Sequence, residues 1–316
     1  KSNLQIIKDC DNFPYDVPGE RERYAALISS LWTFHLPNDP RPHGYILDSV
    51  VQKMPWTKDF HLDPTMKEVH LLQPAGESWQ AECSLAIDAL LDLARLINVF
   101  PKLGAERDEQ FSIIGAQFPI GVERSASSLL GIIGRGVHMT VYTKTPSGIK
   151  FWIARRNLTK HAYAGKLDNA VAGGIALGED PLECLIREAE EETGMSEELV
   201  RGHVKAAGNI SWLYISDTQA GGELGLMNAG ISYVYDLEVG GEIVLKPVDG
   251  DVHEFLLMDV EDVQEAMRNG EFKCVCANVM MDFFIRHRFI TEENEEDYGE
   301  LVRKLHRELP FPTGSA

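Results

Sequence analysis

Apolar and polar positions divide the chain into two stretches with different rhythms. Up to about residue 130, short runs of both periods alternate, with loop signals at Pro14-Tyr15-Asp16-Val17-Pro18-Gly19, at Pro37-Asn38-Asp39-Pro40-Arg41-Pro42 and at Gly104. Within that stretch Tyr24, Leu27, Ile28 and Leu31 predict a helix from about Glu20 to Phe34. Ile87, Leu90, Leu91 and Ala94 predict another from Ser84 to Val99. From Gly136 the period shortens to two. His138 to Thr145 and Lys150 to Arg156 read as the strands of a hairpin around Pro146-Ser147-Gly148. Further strands are expected at 205–214, 232–239 and 254–258, and helices at 260–268, 277–288 and 292–308, the first capped by Asp259 and stopped by Asn269-Gly270. The change of rhythm predicts a smaller domain over 1–130 and a second over 131–316, with the glycine-rich run from Gly131 to Gly136 as the turn between them.

The stretch from Gly173 to Met195, GGIALGEDPLECLIREAEEETGM, carries the chemistry. Asp180 suits an N-cap, Pro181 the first helical position and Gly194 the exit, so a helix from Pro181 to Thr193 is predicted. At 100° per residue Leu182, Leu185, Ile186, Ala189 and Thr193 share one stripe, while Glu188, Glu191 and Glu192 cluster on another flank. Like charges three and four residues apart cost roughly 0.2–0.5 kcal/mol a pair, and the helix C-terminus adds its own partial negative charge. Arg187 can neutralise part of the cluster, but one guanidinium cannot serve three carboxylates. The remainder suits a hard divalent cation with oxygen ligands, Mg²⁺ or Mn²⁺, which normally shares its shell with substrate phosphates. Glutamate runs on helices are more often solvated faces, and Glu190 fits that description.

The full spacing decides otherwise. Gly173, Glu179, Arg187-Glu188, Glu191-Glu192 and Gly194 fill the fixed positions of G-x5-E-x7-R-E-U-x-E-E-x-G-U, where U is a bulky apolar residue. Seven such positions at roughly 7% background coincide by chance about once in several hundred thousand chains of this length. The segment therefore resembles the Nudix box, departing from it only in the small Ala189. The resemblance implies an α+β fold, a Nudix-type α/β/α sandwich with a mixed sheet, preceded here by a smaller α+β domain. It implies metal ligation by Glu188, Glu191 and Glu192, with Arg187 orienting them and Glu179 supporting the loop or an outer ion. Gly173 and Gly174 would let backbone approach phosphate or metal. The implied reaction is substitution at phosphorus by a metal-activated water, completed by a carboxylate base. Many relatives supply a further carboxylate from a later loop. Asp249 and Asp251 are the candidates, weighed equally against a plain Asp-Gly-Asp turn, and Glu223 is a weaker one.

A narrower similarity covers Gly121 to Gly131, Gly136-Val137-His138, Trp152 to Arg156 and Gly165 to Gly174. These runs resemble the thiamine-pyrophosphokinase-related Nudix subfamily, whose members carry an N-terminal companion domain. That implies hydrolysis of thiamine diphosphate, or of its oxidised or antimetabolite analogues, to the monophosphate and phosphate. Another nucleoside-diphosphate-like substrate, or a non-catalytic sensor of thiamine diphosphate, is the alternative. Arg155, Arg156, Lys160 and Lys166 concentrate positive charge just ahead of the box and are candidates for holding a diphosphate. Trp212 is a candidate for stacking on a heteroaromatic ring, as less strongly are Tyr214, Tyr163 and Trp32, against the commoner role of aromatics as core. His138 and His161 read as structural or solvent-facing.

Composition narrows the class without naming it. Across 316 residues, 49 acidic against 30 basic side chains leave a net charge of −19, a field that repels nucleic acid and anionic lipid. The expected partner is thus a small-molecule diphosphate, with no nucleic acid and no membrane, and a homodimer is compatible. The five scattered cysteines form no disulfide framework or zinc-finger spacing, and Cys274-x-Cys276 reads as buried packing. No run of eighteen apolar residues and no basic-then-apolar leader occurs, so a cytoplasmic location is expected. Organellar import stays open in a sequence that starts at Lys1.

Overall fold

The computed structural model describes residues 1–104, 109–160, 162–218 and 223–313. In chain order the first part contains α1 (Asn3–Lys8), α2 (Arg21–Ser30), β1 (Trp32–His35), β2 (Pro42–Ile46), α3 (Asp48–Lys53), β3 (Phe60–Asp63), β4 (Glu68–Leu71), α4 (Trp79–Leu96), β5 (Gln110–Ser112) and β6 (Gly121–Glu123). The second contains β7 (Gly134–Thr145), β8 (Gly148–Arg156), β9 (Leu167–Asp168), β10 (Val171–Gly174), α5 (Pro181–Thr193), α6 (Glu197–His203), β11 (Lys205–Ile215), β12 (Met227–Glu238), β13 (Val252–Asp259), α7 (Val260–Arg268), α8 (Cys274–Arg286) and α9 (Tyr298–Leu305).

Strands β2-β1-β4-β3 form a small sheet, backed by α4 through Cys83, Ile87, Leu90, Leu91 and Ala94. The larger sheet runs β11-β12-β7-β8-β13. It is mixed, as expected, because β12 lies parallel to β7 while the other pairings are antiparallel. One face packs on α5 through Cys184, Leu185 and Ala189 against Val137, Met139 and Val141. The other packs on α7, α8 and α9 through Phe283, Phe284 and Leu301 against Tyr142, Phe151 and Ile153. This is a helix-sheet-helix sandwich preceded by a smaller α+β unit. Among the described residues no helix is long and apolar enough to cross a membrane.

Two differences from the sequence reading have physical causes. The helix expected to reach Phe34 stops at Ser30, and Trp32–His35 becomes β1, pairing with β2 and with the distant β4. Leu31, Trp32 and Phe34 suit either period, and burial of Phe34 in the small sheet's core decides for the strand. The opening residues, in turn, join the far unit: Ile6 and Ile7 of α1 lie in the same cluster as α8 and α9.

Gly131 is a joint between the two sheets. Its φ of +64° places it in the left-handed region, and a Cβ there would stand 1.9 Å from the carbonyl oxygen of Tyr45 on β2. Both the backbone sign and the lack of space oppose any side chain. Gly131→Ala is expected to cost about 3 kcal/mol or more, measured as a loss of stability in urea unfolding. A change below about 1 kcal/mol would mean that the two units do not depend on this contact.

Candidate metal centre and substrate cavity

Strands β7 and β8 pair from Val141 and Trp152 out to their turn, then part. Into the gap come β10, which takes the β7 edge from Gly136 to Met139, and β9, which takes the β8 edge at Ala154 and Arg155. A cavity of about 600 Å³ lies where they diverge.

One wall is the box. Asp180 caps α5 by accepting from the amides of Leu182 and Glu183, and Gly194 ends it at φ +71°. These local signals fix the helix, so the phase of its glutamates follows. Glu188 and Glu192 line the cavity, whereas Glu191 is outside its lining and about half exposed. Arg187 donates to Glu179 at 2.9 Å, to Glu188 at 2.8 Å and to Glu191 at 3.1 Å. Glu179 also accepts from the Ala176 amide, pinning the loop before the helix. Glu183 turns away to Arg201. Glu192 accepts from the Ala172 amide at 3.0 Å and has no ion-pair partner among the described residues. Burial pushes the Glu188 carboxyl up to about 7, with Arg187 opposing and Glu191 and Glu109 assisting. It pushes Glu192 up as well, against the Ala172 hydrogen bond, with Asp168, Glu188 and Asp249 adding to the rise.

Carboxylates this poorly compensated fit a divalent cation. Gly173 makes the room: a Cβ there would fall 2.1 Å from the Glu188 carboxyl carbon. Gly174 is close-packed too, against Phe111 of β5. With Glu188, Glu191 and Glu192 as oxygen donors, the set suits a hard ion.

The floor and far end come from elsewhere. Arg156 lines the cavity and pairs with Asp168 at 3.0 Å. Lys160 lines it too and is ion-paired with Asp251. Asp249 accepts from the Asp251 amide at 2.9 Å, so the acidic turn is built, with Asp251 in the lining and Asp249 near Glu192. Trp212 and Tyr214 close the end on β11. Arg124, Ser127 and Ser128 reach in from the first unit. The structure does not bring Arg155 or Lys166 into this cavity. Neighbouring strand residues face opposite sides, so Arg155 turns to Glu254 at 2.8 Å, while Lys166 donates to the Gly270 carbonyl in a separate cleft that Tyr163 also lines. Trp32 is in the first unit's core, bonded to Asp48. Glu223 is outside the cavity lining. His161 lies outside the described residues.

The sequence reading took His138 as structural or solvent-facing and Cys276 as buried packing, but missed that both join Asp168, Asn169 and the part-exposed Lys273 in one polar group on the floor. The Cys276 thiol donates to Asp168 at 2.6 Å, and His138 Nδ1 shares a hydrogen bond with Asn169 at 3.0 Å. Ligand atoms of His138, Asp168 and Cys276 fall within 4.8 Å of one another. Arg156 and Lys273 nevertheless already balance the Asp168 charge. Burial opposes that charge, but the two cations outweigh it and hold the carboxyl down at about 2. Burial, helped by Lys273, lowers His138 to about 4, so it stays neutral near pH 7. A second cation has no uncompensated charge to bind there.

A NUDIX domain model matches residues 134–277, which holds every box residue and the cavity floor. The chain belongs to the Nudix hydrolases. The yeast (Saccharomyces cerevisiae) uncharacterized protein YJR142W is 33% identical to it over 99% of this chain and 92% of its own. Nudix hydrolase 20, chloroplastic, of Arabidopsis thaliana is 35% identical over 69% of this chain, which spans 57% of the plant protein. Among solved structures, DR0079 of Deinococcus radiodurans is similar at 21% identity and a TM-score of 0.34, over 55% of this chain and 83% of that one. As a Nudix hydrolase, the protein acts on phosphoanhydrides, a reaction for which Nudix hydrolases typically use divalent metal ions.

Proposed function

We propose that this Nudix hydrolase cleaves thiamine diphosphate, or its oxidised or antimetabolite analogues, to the monophosphate and inorganic phosphate, using Mg²⁺ or Mn²⁺. The observation that carries the reading is one cavity with a carboxylate wall, a basic floor and an aromatic end. Glu188, Glu191 and Glu192 would hold the ion. When bound, it supplies charge neutralisation on the diphosphate oxygens and makes water a better nucleophile at neutral pH. The chain's own residues do the positioning. Arg187 keeps Glu179, Glu188 and Glu191 in register, Arg156 and Lys160 face the anionic substrate, and Trp212 offers its indole face to a heteroaromatic ring. The preference for thiamine is supported by the runs around Gly121, Trp152 and Gly165 that resemble the thiamine-pyrophosphokinase-related subfamily. In this reading residues 1–130 are a companion domain that shapes the cavity mouth through Arg124, Ser127 and Ser128.

A panel of diphosphates tests it. With Mg²⁺, hydrolysis of thiamine diphosphate and an oxidised analogue, followed by chromatography of the monophosphate products, should show a kcat/KM at least about tenfold above that for a nucleotide sugar, the discrimination expected of a site fitted to one ring. Preference for the nucleotide sugar would retire the thiamine assignment. Binding of thiamine diphosphate without turnover would instead mark a sensor.

A further inference from the structure

The cavity floor has more donors than acceptors. Arg156 and Lys273 both address Asp168, at 3.0 and 3.9 Å, so one carboxylate faces two cations. At 3.9 Å the Lys273 ammonium makes no hydrogen bond to it, and no other side-chain acceptor is engaged among the described residues. Asn169 is 2% exposed; its Oδ1 bonds to His138 while its Nδ2 has no partner. Ser232 is fully buried with its hydroxyl unpartnered. All four residues line the same cavity. Open N–H and O–H donors carrying a net positive charge call for a ligand rich in anionic oxygens. A metal ion would meet repulsion there, and a bare aromatic ring would leave the donors unpaired.

The floor also adjoins the carboxylate wall. Asp168 ends β9, and Ala172, whose amide holds Glu192, stands four residues on in β10. An anion seated on the floor would therefore lie beside the ion that the glutamates hold. A terminal phosphate offers three free oxygens and up to two charges, whereas each phosphorus of a doubly esterified diphosphate offers two free oxygens and one charge.

We propose that Lys273, Arg156 and Asn169 form a subsite for a terminal phosphate, and that Lys273 is a specificity-determining residue selecting diphosphates with one free end over those esterified at both. The substrate side of this inference rests on the diphosphatase reading, but its primary test does not need turnover.

Inorganic phosphate is titrated calorimetrically into the Mg²⁺-loaded protein, as wild type, Lys273→Met and Lys144→Met, the last an exposed lysine paired with Glu238 away from the cavity. Lys273→Met should weaken phosphate about tenfold or more, the scale of a lost charge-assisted contact. Lys144→Met should leave it unchanged, and Lys273→Arg should recover most of the affinity. With substrates, Lys273→Met should raise KM for thiamine diphosphate by about the same factor and leave kcat/KM for ADP-ribose, esterified at both ends, within about twofold. Unchanged phosphate affinity in a Lys273→Met protein that melts with wild type overturns the subsite, and equal losses on both substrate classes overturn the selectivity. If Lys273→Met does not fold, Asn169→Ala in the same titration decides. Failure to cleave any diphosphate would defeat the proposed function while the phosphate titration still judged the subsite.

Discussion

Glu192→Gln is expected to lower kcat/KM with Mg²⁺ by at least about a hundredfold while leaving the metal-free protein as stable as wild type or more so. The two halves of that result have one cause. Glu192 keeps a hydrogen bond from the Ala172 amide but has no ion-pair partner among the described residues, so its charge is desolvated without compensation. Glutamine keeps an acceptor for that amide and removes the charge. Folding then loses a penalty, whereas metal binding loses a ligand. Glu191 should behave differently, since it is about half exposed and already tied to Arg187, so neutralising it relieves little. The measurements are steady-state kinetics and calorimetric melting in EDTA. A Glu192→Gln protein that retains a tenth of wild-type activity would show that this wall does not hold the catalytic ion. A variant that melts well below wild type would show that the carboxylate is structural.

The box was legible because its determinants are local. Asp180, Pro181 and Gly194 set both ends of α5, and a helix of known phase places Glu188 and Glu192 on one flank from sequence alone. The same holds for α7, where Asp259 accepts from the Asp262 amide and Gly270 adopts a φ of +73°. Where the outcome depends on distant partners, the reading was weaker. The residues of β1 fit a helix until β4, more than thirty positions on, offers them an edge. Arg155 and Arg156 looked equivalent as charges, although strand alternation alone dictates that only one can face the cavity. The floor was least legible. Asp168, Lys273 and His138 come from β9, the residue before α8, and β7, and no spacing rule connects them. A lysine just before an apolar helix carries no signal of its own until the fold brings Asp168 within 3.9 Å of it.

Glu188 gives the metal-free protein a pH signature that must be read as a difference. Its carboxyl rises from 4.5 to about 7 in the folded state through burial, so the native chain holds this proton more tightly than the unfolded one. The resulting stability is fully present below about 4.5, declines as pH rises, and is gone above about 7. With the side chain 15% exposed, a shift of that size corresponds to about 3 kcal/mol. His138 works in the opposite sense. Its folded value is pulled from 6.5 to about 4, so its neutral, buried ring costs stability at low pH, and that cost fades as pH climbs through 6.5. The two slopes overlap, and the melting temperature of the wild type alone can stay nearly flat. Comparison with Glu188→Gln removes the His138 contribution, which both proteins share. The variant should match wild type near pH 4.5 and exceed it by about 3 kcal/mol at pH 8, in EDTA. Divalent ions compete with the proton for the same oxygens, so the melting shift that Mg²⁺ produces in wild type should grow over the same interval and be small in the variant. Urea unfolding at pH 4.5, 6 and 8, with and without Mg²⁺, separates these contributions. An advantage for the variant that shrinks with rising pH would mean that Glu188 is not the desolvated carboxylate of the metal centre.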